Sequence, residues 1–174
     1  MTPEQRQLVN DLVITPPSGH RRISKEVFVA RFPEALEGES LSVPLLAQAC
    51  HDRSAEDLRS ALIVGFSFQF SPRHEDLLCQ LALANWHVSH EDVVSALDKI
   101  RATSEKAVDT LYETTQISFP YLAYDSSKAL TVKAIWTLGR IPGTGAEAKL
   151  KLLASSEDPI LRLNAEQQLK RRTG

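Results

Sequence analysis

The residues that could do chemistry gather in two short stretches. The first is Trp86-His87-Val88-Ser89-His90-Glu91, where two imidazoles stand three positions apart and a carboxylate follows the second. Histidine pairs do hold zinc. A helix presents such a pair best at i and i+4, however, and a third ligand would have to come from elsewhere. No metal ligands are assigned on this basis. The stretch lies between two helical patterns, so it reads as a turn. Either a histidine sits against a helix end with the tryptophan packed under it, or exposed Trp and His side chains meet a partner. The second stretch is Phe119-Pro120-Tyr121-Leu122-Ala123-Tyr124-Asp125. Loops carry function more often than helix backs, and tyrosine is enriched at interfaces. The structural alternative is that Phe119, Leu122 and one tyrosine fill the gap between helices, with Tyr121 the core member. With Tyr112 on the preceding helix, the candidate partner-binding residues are Trp86, His87, His90, Glu91, Tyr112, Tyr121, Tyr124 and Asp125.

Catalytic constellations find less support. There is no Gly-x-Ser-x-Gly, no phosphate loop and no cysteine beside a matching histidine signature. Glu56-Asp57, Glu75-Asp76 and Glu91-Asp92 are neighbours in first helical turns. Such neighbours point about 100° apart, which suits dipole complementation better than paired acid–base work. The chain is expected to be non-enzymatic and to use no cofactor.

The elements that must position these residues repeat. Ser54-Ala55-Glu56-Asp57-Leu58-Arg59-Ser60-Ala61-Leu62 returns as Ser89-His90-Glu91-Asp92-Val93-Val94-Ser95-Ala96-Leu97, a lag of 35 residues (89 − 54) with six of nine positions identical. That lag is the spacing of stacked helical hairpins. Ser54 and Ser89 each precede an acid three positions on, a helix-start signature. Ser71-Pro72, Ser104, Ser126 or Ser127, and Asp158-Pro159 supply further starts. The small residues Ala61, Ala96, Ala134 and Ala165 align across the units. The expectation is an all-α protein, an α-α superhelix of about four hairpins within one domain, residues 1–174. Short N-terminal cap helices occupy 1–50, with Pro16-Pro17-Ser18-Gly19 a loop, Pro33 to Pro44 a connector and Leu45 to His51 a helix. Hairpins occupy 54–86, 89–117 and 126–154, and a capping helix spans 158–172. Phe66 to Phe70 reads as a helix end filling a groove.

Composition agrees. The 174 residues are 43% hydrophobic and 24% charged, with 7 glycines and 6% aromatics, a soluble helical profile. A net charge of −2 lacks the basic excess that phosphate neutralisation demands. Nucleic-acid and small-molecule partners are therefore not expected, and Lys170-Arg171-Arg172 reads as dipole complementation at a helix end. Cys50 and Cys79 lie in apolar helical contexts and read as buried free thiols. No leader or membrane-length run is apparent, so a cytoplasmic protein without membrane contact is expected.

The final third adds a resemblance. Lys128-Ala129-Leu130, Lys133-Ala134-Ile135-Trp136, Leu138-Gly139 and Ile141 lead to Ala148, Leu150 and Leu153. Ser156-Glu157-Asp158-Pro159-Ile160-Leu161-Arg162, Ala165 and Leu169 follow. This pattern resembles small bacterial HEAT-like repeats of the phycobilin-lyase type, closely over about 125–171 and more weakly over 54–117. The resemblance implies a HEAT-like solenoid in which Asp158 and Arg162 stabilise a turn and the stack. It also implies a protein-binding role, as an immunity or adaptor protein whose partner is a toxin or complex subunit. Its alternatives are a DNA-binding enzyme of the alkylpurine DNA glycosylase class and a bilin lyase or chaperone relative.

Overall fold

A computed structural model describes residues 1–13, 22–33 and 39–173. Among these residues every regular element is helical. The helices are α1 (Pro3–Val13), α2 (Lys25–Arg31), α3 (Glu39–Asp52), α4 (Ala55–Phe68), α5 (Glu75–Ala82), α6 (His90–Lys99), α7 (Glu105–Gln116), α8 (Ala129–Arg140), α9 (Thr144–Ala154) and α10 (Pro159–Thr173). The fold class is all-α. The loop expected at Pro16 to Gly19, and part of the connector expected between Pro33 and Pro44, lie outside the described residues.

The chain forms two compact units, Met1–Ser71 and Pro72–Gly174. In the first, α1 packs on α2 and α4, and α3 packs on α4. Leu8, Val9, Leu12, Phe28, Phe32, Leu41 and Val64 form its core. The Arg6 guanidinium, 2.7 Å from the Asp57 carboxylate, ties α1 to the first turn of α4. Helix α3 begins well before the Leu45 start expected from sequence and runs through Pro44. Proline lacks the amide hydrogen that the carbonyl four residues back would use, so the sequence signal for a break is real, but packing against α4 overrides it.

In the second unit α5 packs on α6 and α7, α6 on α8, α7 on α8 and α9, and α8 on α9 and α10. Helices α5, α7 and α9 thus neighbour one another in one layer, and α6, α8 and α10 in the other. The most extensive pairings are α7 with α8 and α9 with α10. Capping signals say where a helix starts, not which neighbour it packs against. Ala61, Ala96, Ala134 and Ala165 are all fully buried, on α4, α6, α8 and α10. Cys79 is buried, which pushes its thiol pKa up, and Cys50 is half-buried; both are free thiols.

The caps divide into those formed as read and those replaced. Ser54 Oγ accepts from the Asp57 amide, Ser104 Oγ from the Ala107 amide, and Asp158 Oδ1 from the Ile160 amide. Ser89 makes no side-chain cap bond. Neither Ser126 nor Ser127 occupies the cap of α8; Lys128 does, with φ 52°. Two helices end in arginine where glycine is usual. Arg53 and Arg101 sit at φ 49° and 54°. The next amides, Ser54 and Ala102, reach back to the carbonyls of Ala49 and Leu97 in Schellman closures.

Close approach of α8 and α10 depends on Gly139. A β-carbon there would lie 2.8 Å from Gln168 Cβ and 2.5 Å from its Oε1. Alanine would gain up to ~1 kcal/mol of helix propensity, whereas overpacking costs ~1–3 kcal/mol. Gly139→Ala is therefore expected to destabilise the protein by about 1–2 kcal/mol, read as a lower denaturation midpoint in urea.

Candidate functional site

Helix α5 is only eight residues long, and its last carbonyls need donors from outside the helix. The Ala84 amide and one histidine serve Leu81, and a second histidine serves the Ala84 carbonyl in the turn beyond. His87 Nε2 donates to the Leu81 carbonyl at 2.9 Å, and His90 Nε2 to the Ala84 carbonyl at 2.6 Å. This fixes each ring as the neutral Nε2–H tautomer. The remaining nitrogens are used as well. His87 Nδ1 accepts the Ser89 amide at 3.1 Å, and His90 Nδ1 accepts the Tyr121 hydroxyl at 2.8 Å. Ser89 therefore contributes its amide, where its hydroxyl was expected to cap.

The rings also stack. His87 and His90 have centroids 4.2 Å apart, and the Phe119 ring lies tilted against His90 at 3.8 Å. Trp86 meets His87 edge-on at 4.8 Å. The arrangement joins the α5–α6 turn to the segment between α7 and α8. His87 is 4% exposed and His90 0%, while Tyr121 keeps 39%. Burial is the main cause that lowers the His87 pKa to about 4, aided by the neighbouring His90; burial also lowers His90. Burial raises the Tyr121 phenol, with the Glu91 carboxylate adding to the shift.

Of the eight residues singled out from sequence, Trp86, His87, His90 and Tyr121 thus meet in one cluster. Glu91 faces another way, its carboxylate 3.2 Å from Lys133 Nζ on α8. Tyr112 lies on α7 with Lys149 Nζ 4.6 Å above its ring. Asp125 is a helix-start residue: Oδ1 accepts the Ser127 amide at 3.0 Å and Oδ2 the Ala129 amide at 2.7 Å. Those bonds, the Ser127 hydroxyl first, hold its carboxyl below the usual range. Tyr124 stands apart at 99% exposure on the same turn. Among the described residues no group of three or more His, Cys, Asp or Glu side chains is placed to hold a metal. Nor is any of their helices long and apolar enough to cross a membrane.

A second feature escaped the sequence reading. Glu91, Ser95 and Asp98 line one side of α6, and Ala129, Val132, Lys133, Trp136 and Arg140 the facing side of α8, around a cleft of about 560 Å³. A second cleft of about 510 Å³ continues it past Asp98, Thr137 and Arg140 to Arg101 and Pro142. The signal was present as i, i+4, i+7 spacing on both helices. It had been absorbed into the repeat pattern, where Lys133 and Trp136 read as framework. Trp136 Nε1 donates to Asn164 Oδ1 at 2.8 Å, and the Arg171 guanidinium lies 4.9 Å from the indole centroid.

The described residues thus define an all-helical protein with a buried histidine pair, one exposed tyrosine turn and a grooved helical face. No family model matches the chain, and no curated protein or solved structure matches it either.

Two outcomes follow from these contacts. Unfolded, His87 takes its proton near 6.5, and folded near 4, so between those values the unfolded chain binds more protons. Its contribution is complete above pH ~6.5 and is lost as pH falls toward 4, on the order of 3 kcal/mol in all. Urea unfolding at pH 7.0 and 4.5 should show this loss, with a smaller pH slope in His87→Gln. Asp125→Ala should cost about 1 kcal/mol by removing bonds to two amides, measured in the same way.

Proposed function

We propose that this protein is a non-enzymatic helical-repeat scaffold that binds a protein partner, in the role of an immunity or adaptor protein. The architecture that suits this role is a HEAT-like solenoid. The two-layer order of α5 to α10, the 35-residue sequence lag and the four buried alanines support that architecture. The clustered imidazoles are engaged in holding the fold: both nitrogens of both histidines are bonded.

One observation carries the binding reading. Tyr124 is 99% exposed on a turn held by backbone bonds from Asp125 to Leu122 and from Lys128 to Asp125, and by the Asp125 carboxylate. An aromatic ring presented to solvent by an ordered turn loses little entropy on binding and offers a large contact area. Tyr121 lies beside it, partly exposed and fixed by His90.

Side-by-side capture from a bacterial lysate with the wild-type chain and Tyr124→Ala tests this reading. The expected outcome is a protein retained by the wild type and at least tenfold depleted on the variant, with unfolding stability unchanged within ~0.5 kcal/mol because an exposed side chain is removed. Equal retention by both chains would remove the turn as the contact. Absence of any specifically retained protein would remove the scaffold reading.

A further inference from the structure

The α6–α8 groove has a floor and a rim of different chemistry. Ala129, Val132 and the Trp136 ring make an apolar floor along α8. The rim is charged and paired across the helices. Glu91 of α6 faces Lys133 of α8, and Asp98 faces Arg140. Those two pairs neutralise each other. Two further cations are left over. Arg171 lies against the Trp136 indole and Arg101 lines the far end of the groove; neither has a carboxylate partner among the described residues. The groove lining therefore carries three cations to two anions, and Arg171 stands beside it on the Trp136 ring, in a chain whose net charge is −2.

Arg101 adds a second observation. Its backbone sits at φ 54°, a conformation unfavourable for an L residue and one that glycine adopts freely. The helix closure there needs only the backbone. A guanidinium is nevertheless placed at the mouth of the cleft, exposed and unpaired among the described residues.

We propose that the α6–α8 groove is the docking site for an acidic amphipathic helix of a protein partner. This rests on the protein-binding reading above and specifies the partner's chemistry. The 12 residues of α8 along the groove span about 18 Å, the length of roughly three helical turns. A helix of that length lays leucine-type side chains on Val132 and Trp136, and its flanking carboxylates reach Arg171 at one point and Arg101 at the other. Helix-in-groove recognition combines an apolar seam with charged flanks in this way. A nucleic-acid backbone fits less well, because phosphate binding rests on clustered free cations, whereas the floor here is apolar and Lys133 and Arg140 are already paired.

The test uses the full chain and three labelled probes at low salt. The first is a helix-forming peptide of about fifteen residues with leucine at helical spacing and glutamate elsewhere, the second its lysine counterpart, and the third a short DNA duplex. The glutamate peptide is expected to bind, read by fluorescence anisotropy, and to shift the Trp136 indole N–H resonance, which Trp136→Phe identifies. Arg101→Glu combined with Arg171→Glu should weaken binding at least tenfold, while the double lysine variant keeps it within threefold. Both arginines are exposed, so circular dichroism melts should match the wild type. Equal binding of the lysine peptide, indifference to the charge reversal, tighter binding of the duplex, or no binding of the glutamate peptide would each overturn the proposal. A lysate partner that depends on Tyr124 but not on these arginines would remove the groove while leaving the scaffold reading intact.

Discussion

Helix α5 ends after eight residues, and the carbonyls of Leu81 in its last turn and Ala84 in the turn beyond, both bonded by imidazoles, set the terms for much of the second unit. An unpaired buried carbonyl costs about 1–3 kcal/mol, comparable to a substantial share of a domain's net stability. The chain meets this demand with two neutral imidazoles instead of the usual glycine turn. Each imidazole has a second nitrogen that must also be satisfied once buried, and this second demand spreads the constraint. His87 takes the Ser89 amide and so shapes the entry to α6, while His90 takes the Tyr121 hydroxyl and so anchors the segment between α7 and α8. One short helix end thereby fixes the position of the turn that presents Tyr124.

This explains why the same residues look functional in sequence and structural in space. A tryptophan, two histidines and a tyrosine in turns are what a binding site and a buried polar clamp both require. The helices themselves were legible because their starts are chemical. Ser54, Ser104 and Asp158 accept the amides that their positions imply, and the 35-residue recurrence marks α4 and α6. What could not be read is whatever depends on contacts distant in the chain. Pro44 signals a break that tertiary packing cancels. Ser89 and Ser127 carry the right side chains for caps, but Asp125 takes the Ala129 amide at the start of α8, and Ser89 is held by its own amide on His87 Nδ1. The pairing of α7 with α8 is decided by which apolar faces meet, and capping residues carry no information about that.

Four inter-helix ion pairs of the second unit share one direction, while that between Lys128 before α8 and Asp158 before α10 runs the other way. In the layer of odd-numbered helices Asp76 of α5 faces Lys106 of α7, and Asp109 of α7 faces Lys149 of α9. In the other layer Glu91 and Asp98 of α6 face Lys133 and Arg140 of α8. In each of these four the acid comes from the earlier helix and the base from the later one. Exposed pairs of this kind contribute only ~0.2–1 kcal/mol each. Burial of a single large side chain such as Leu138 or Ile135 contributes about 1.5–3 kcal/mol. The apolar seam therefore holds the layers together, and the ladder acts chiefly on register, because a shifted stack would bring like charges face to face.

That division of labour also accounts for where the surface chemistry is free. Each acid–base pair of the ladder cancels its own charge. Free charge must then come from residues outside the pairing rows. Arg171 belongs to the row of α10 that meets Trp136, where the α8 partner is an indole and not a carboxylate. Arg101 lies beyond the last residue of α6, in the helix closure. Both are positions where the repeat ends or changes its pairing chemistry, and both border the same groove. The paired rows cancel their charges, and these two cations, which stand outside those rows, are left to face a partner.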